Sequence, residues 1–153
     1  MPKPRKLLFL LTDGGRARLV RRSPETGDYV TLEELDHTER LKTLRAELRA
    51  SPPARNFVSF SAGRHTVGRE DYYRQAKADF AAEAARLAEA VMRRQGLDEL
   101  FLAAPPRMIG LLRDQFGPRV HVAGTLNKDL TKTPNHALHA WLDEALFAVR
   151  AAG

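Results

Sequence analysis

A chain of 153 residues with 43% hydrophobic content can bury one core, and it is read as a single domain spanning 1–153. It contains no cysteine, which removes disulfides and thiolate chemistry and points to a reducing, cytoplasmic setting. Its 25 Lys+Arg against 19 Asp+Glu give a formal net charge of +6, which favours polyanions as partners.

The opening Met1-Pro-Lys-Pro-Arg-Lys6 has the charge of a signal n-region, but the apolar run Leu7 to Leu11 is too short for an h-region and Asp13 closes it. No stretch approaches the roughly 20 apolar residues that span a bilayer, so no membrane insertion is expected. The same run, broken by Thr12-Asp-Gly-Gly15, reads as a buried central strand ending in a tight turn. Arg16 to Arg22 then alternates, with Ala17 and Leu19 on one face and Arg16 and Arg18 on the other, as a half-buried hairpin partner does. A third strand is expected over Tyr29 to Leu35, entered through Ser23-Pro-Glu-Thr-Gly27.

Leu41, Leu44 and Leu48 recur at helical spacing among Arg40, Lys42, Arg45 and Arg49, predicting a short basic helix after Asp36 that Pro52-Pro53 ends. A long basic loop is expected at about 51–70, with Phe57-Val-Ser-Phe60 as its apolar anchor. Tyr73, Ala76, Phe80, Ala84, Leu87 and Val91 mark the longest helix, with Glu70-Asp71 at its start and Arg93-Arg94 and Gly96 at its end. Leu97 to Ala104 reads as a strand, Pro105 to Phe116 as a helix with proline in its first turn, and Arg119 to Gly124 as a last strand. Thr133-Pro134 opens a closing helix expected to bury Leu138, Trp141, Ala145 and Val149. This order implies an α/β fold: a mixed sheet, antiparallel at first and then parallel, flanked by helices.

Four stretches carry a resemblance: Thr12-Asp-Gly-Gly-Arg-Ala-Arg-Leu19, Ala62-Gly-Arg-His65, Leu100-Phe-Leu-Ala-Ala-Pro-Pro-Arg-Met-Ile-Gly-Leu-Leu-Arg113 and Asn127-Lys-Asp-Leu-Thr131. Together, and in order over nearly the whole chain, they resemble the bacterial host-attachment protein family. That family is distantly similar to the central domain of archaeal and eukaryotic translation release factors, which implies a ribonuclease-H-like mixed sheet. It also implies a link to the ribosome or tRNA. In the release factors a Gly-Gly-Gln loop before a long helix enters the peptidyl-transferase centre; here the corresponding loop is Ser61-Ala-Gly-Arg-His-Thr-Val-Gly68, without that tripeptide.

Arg64, His65, Arg69, Arg74 and Lys77 cluster donors on and after that loop in the manner of phosphate contacts, and Arg16 and Arg18 extend the basic surface. The first reading is therefore a noncatalytic RNA- or ribosome-associated domain. A second is an ester hydrolase acting on a substrate such as peptidyl-tRNA, with His65 as the catalytic candidate. A third is an adaptor binding a protein partner, as a homodimer through the sheet edge or the short basic helix. Asp13, Gly14 and Gly15 form a structural turn, Asp13 bonding its own backbone. A two-metal nuclease needs acids that Ala103-Ala104-Pro105 does not supply, a phosphate loop needs a Lys-Ser/Thr ending that is absent, and His136 with His139 has no third ligand. No metal or cofactor is implied.

Overall fold

The computed structural model describes residues 6–50 and 69–152. Three strands come first: β1 (Leu7–Thr12), β2 (Arg16–Arg22) and β3 (Tyr29–Asp36). Helices α1 (Thr38–Ala50) and α2 (Arg69–Gln95) follow, then β4 (Glu99–Ala103), α3 (Pro106–Phe116), β5 (His121–Leu126) and α4 (His139–Ala152). The strands form one mixed sheet in the order β3-β2-β1-β4-β5, with β1–β2 and β2–β3 antiparallel and β1–β4 and β4–β5 parallel. The fold is α/β, and among the described residues no helix is long and apolar enough to cross a membrane.

β1 is buried at every residue because helices cover both faces of the sheet, which is why its sequence is a continuous apolar run rather than an alternation. Leu8, Leu10, Leu100 and Leu102 point to the layer of α2 and α3, where Phe80, Ala84, Ala88, Val91, Met108, Leu112 and Phe116 meet them. Alanines on the sheet-facing side of α2 let its backbone approach closely. Leu7, Phe9, Leu11, Phe101 and Tyr29 point to the opposite layer, which Leu130, Leu138, Leu142 and Leu146 close. The helix expected from Pro105 begins with Pro106 in its first turn, where a missing N–H costs nothing, and ends at Gly117 with φ 59°.

Two expectations for the last third are corrected. The Thr133-Pro134 stretch leads into a short 3-10 turn, Asn135–Ala137, and the regular helix starts only at His139. The buried face of the closing segment is Leu138, Leu142 and Leu146, whereas Trp141 is 41% exposed. Trp141 lies about 100° around the helix from Leu142, beyond the edge of the buried stripe. The side chain of Val149 lies outside the described residues.

The environment of Arg18 is a further correction. Its side chain points to the α4 layer and is buried, at 8% exposure. Its guanidinium donates to Thr31 Oγ1 at 3.1 Å, to the Leu130 carbonyl at 3.1 Å, to the Thr133 carbonyl at 2.5 Å and to Asn135 Oδ1. Burial lowers its pKa, opposed by the charge of Glu34. Arg18 thus pins the segment after β5 onto the sheet and does not join a solvent-facing basic surface.

Candidate nucleic-acid interface

The carboxyl ends of β1, β4 and β5 lie together, because the parallel register aligns Leu11 with Ala103 and Ala103 with Leu126. At this end the chain leaves β1 through Asp13-Gly14-Gly15. Asp13 Oδ1 accepts from the Gly15 and Arg16 amides, both at 2.7 Å, and Thr12 Oγ1 donates to the Arg16 carbonyl at 2.6 Å. The carboxylate is therefore turned onto its own turn. Gly15 sits under α1: a Cβ there would be 2.9 Å from Leu41 Cδ1 and 3.4 Å from Thr38 Cγ2. The Gly15 carbonyl accepts from the His37 amide at 2.7 Å, fixing the start of α1 against the turn. Asp36 caps that start by accepting from the Thr38 amide at 2.8 Å. The hydrogen bonds from the Thr38 hydroxyl and amide hold the Asp36 carboxyl below its ordinary pKa.

Helices α1 and α2 meet above this turn, and two cations approach the Tyr73 ring. The Arg45 guanidinium is 5.1 Å and the Lys77 ammonium 4.9 Å from the ring centroid, and Arg45 also donates to the Tyr73 hydroxyl. Lys77 continues to the turn, its Cε 3.6 Å from where a Cβ on Gly14 would stand. Among the described residues neither Arg45 nor Lys77 forms an ion pair with a carboxylate. Two positive charges from different helices thus converge on one aromatic ring, uncompensated among those residues, at the carboxyl end of the parallel strands.

The other expected contacts are placed differently. Arg16 is 3.7 Å from Asp36 and Arg74 is 3.5 Å from Asp71, both solvent-exposed pairs of small energetic weight. Arg64 and His65, with most of the expected 51–70 loop, lie outside the described residues, as does the side chain of Arg69. Of the predicted residues outside β2, Lys77 is, among the described residues, the one whose side chain the fold brings to the Asp13–Gly15 turn. Sequence reasoning missed Arg45 and Tyr73 as partners of that lysine; Tyr73 to Lys77 is an i,i+4 spacing visible in the sequence, but nothing local links Arg45 to either.

Two histidine clusters lie elsewhere. His37 is buried, with Nε2 2.5 Å from Glu83 Oε2 and its ring edge-on to Phe80 at 5.1 Å, so it ties α1 to α2. Beside it a groove of about 430 Å³ is lined by Glu39, Glu47, Arg40, Leu44 and Ala76, and its two acids make it a poor seat for phosphate. On the α4 layer, His139 Nδ1 is 2.9 Å from Asp143 Oδ2, and the Tyr29 hydroxyl donates to Asp143 Oδ1 at 2.5 Å. His136 is exposed and does not share a cluster with His139; among the described residues no group of three or more His, Asp or Glu is placed to hold a metal ion.

Residues 8–142 match the family described as "Protein required for attachment to host cells". The chain belongs to this host-attachment family. The match begins in β1 and ends in α4, so it takes in the Asp13–Gly15 turn, both helices of the Tyr73 cluster and the segment pinned by Arg18. A search of curated proteins finds no match.

Proposed function

We propose that this member of the host-attachment family is a noncatalytic RNA-associated domain, acting on the ribosome or on tRNA, with Arg45 and Lys77 contacting the phosphate backbone. The observation that carries this reading is the pair of cations held on Tyr73 beside the Gly14 turn, without a carboxylate partner among the described residues. Fixing long cationic side chains on an aromatic face reduces the conformational entropy they forfeit on meeting a phosphate. A net charge of +6 adds long-range attraction for a polyanion. The release-factor resemblance implied by the sequence motifs directs the proposal to ribosomal RNA and tRNA. A role in attachment to host cells then follows indirectly, through expression.

The test is binding of purified protein to bulk tRNA by fluorescence anisotropy across a salt series, comparing wild type with Arg45→Ala/Lys77→Ala. The log–log salt slope of the wild type is expected to exceed that of the double variant by about 0.7–0.9 for each phosphate that the variant no longer neutralises. Equal slopes and affinities for the two proteins would remove the cluster from the interface.

A further inference from the structure

Lys128 and Trp141 form a second cation–aromatic pair, on the opposite layer of the sheet. The Lys128 ammonium lies 4.4 Å from the Trp141 ring centroid, and among the described residues it forms no ion pair with a carboxylate. Trp141 is the single tryptophan of the chain and is 41% exposed. The helix buries leucines on its neighbouring positions while leaving this large ring at the surface. Lys132 and His136, both exposed, lie on the same connecting segment. The acid of this segment, Asp129, is turned onto Thr131, accepting from that residue's amide at 2.9 Å and hydroxyl at 2.6 Å.

The position of the pair follows from topology. Lys128 lies two residues beyond the end of β5, and Lys77 lies against the turn that ends β1. β5 and β1 are separated by β4 alone, so the two strand ends are about 10 Å apart. The Arg45–Tyr73–Lys77 cluster stands on the α2 side of this end and the Lys128–Trp141 pair on the α4 side. One nucleic-acid strand crossing the carboxyl end of the sheet can meet both, since single-strand sites on small domains extend over about 4–16 nucleotides.

We propose that Trp141 and Lys128 are a second contact of the RNA site, in which an unpaired base stacks on the exposed indole and the adjoining phosphate meets Lys128. Cationic grooves with an aromatic platform select single-stranded segments, because a base inside a duplex cannot reach a side-chain ring. The ligand class is thus a single-stranded stretch of RNA. This inference rests on the proposed RNA-associated function and adds to it a second, stacking contact.

The test titrates unlabelled oligouridylate into the protein and follows Trp141 emission, with a labelled oligouridylate read in parallel by anisotropy. Emission is expected to fall and to saturate at the concentration that saturates anisotropy. Trp141→Ala is expected to weaken binding by about fivefold or more, and Trp141→Phe to recover most of that affinity. Far-UV circular dichroism and the thermal midpoint of both variants show that the fold is kept. Binding by anisotropy with unchanged emission and an unaffected Trp141→Ala variant would overturn the stacking contact while leaving the Arg45–Lys77 site standing. Wild-type protein that binds neither oligouridylate nor tRNA would overturn the RNA reading and this inference with it.

Discussion

Replacing Arg18 with methionine keeps most of the aliphatic stem and removes the guanidinium, so the cost can be worked from the partners left behind. Thr31 Oγ1 and Asn135 Oδ1 remain 3.1 Å apart and continue to bond each other. The Leu130 carbonyl still accepts from the Thr133 amide at 3.1 Å. The Thr133 carbonyl loses the 2.5 Å bond from Arg18 and keeps no other partner among the described residues. One orphaned carbonyl costs about 1–3 kcal/mol, and the missing charge-assisted bonds add to it, while the desolvation of the guanidinium is recovered. The expected loss for Arg18→Met is therefore about 2–4 kcal/mol, read from urea unfolding by circular dichroism and by Trp141 emission. Asn135→Ala in the same background is expected to be non-additive, because both changes loosen the same segment. Hydrogen exchange should rise first in residues 130–137. A loss below about 1 kcal/mol, or strict additivity with Asn135→Ala, would refute the pinning role.

Gly15→Ala is expected to destabilise by about 1–2 kcal/mol, since its Cβ would stand 2.9 Å from Leu41 Cδ1, whereas Gly14→Ala should be tolerated; thermal melts of the two variants compare them. Burial pushes the Asp143 carboxyl up, but the hydrogen bonds from Tyr29 and His139 and the charges of His139 and Arg22 outweigh it, leaving the pKa lowered. A depressed carboxyl stabilises the fold above its unfolded pKa and loses that contribution as pH falls through the folded value. Wild type should therefore be more stable than Asp143→Asn at neutral pH, with the gap closing below about pH 4, as urea midpoints over a pH series would show. Phe80→Ala, emptying a fully buried site under His37, should cost about 3–5 kcal/mol in the same unfolding assay.

The sheet was legible because its signals are local. A five-residue apolar run at Leu7–Leu11, alternation through Arg16–Arg22 and proline at the start of Pro106–Phe116 each follow from a short stretch of chain, and the mixed parallel and antiparallel order follows from their sequence. What escaped depends on which layer covers a residue. Arg18 alternates outward from Ala17 and Leu19, and only the α4 layer, more than 110 residues later, turns that outward face into an interior one. Trp141 shares the helical spacing of a core residue, yet a later helix start and the 3-10 turn before it rotate the buried stripe onto Leu138, Leu142 and Leu146. Of the candidate site, Lys77 and the Asp13–Gly15 turn were readable as chemistry. Their meeting with Arg45 and Tyr73 needed the packing of α1 on α2.

Ultraviolet crosslinking of the protein to bulk tRNA, followed by mass spectrometry of the attached peptides, reads directly whether RNA is held at the Tyr73 cluster. Tyr73 is the aromatic reporter of the cluster, and the exposed Tyr72 precedes it in the chain. Nucleotide adducts are expected on peptides containing Tyr72–Lys77, abolished when Arg45 and Lys77 are both replaced by alanine. Adducts confined to the outer face of α3, around Arg107 and Arg113, would contradict it.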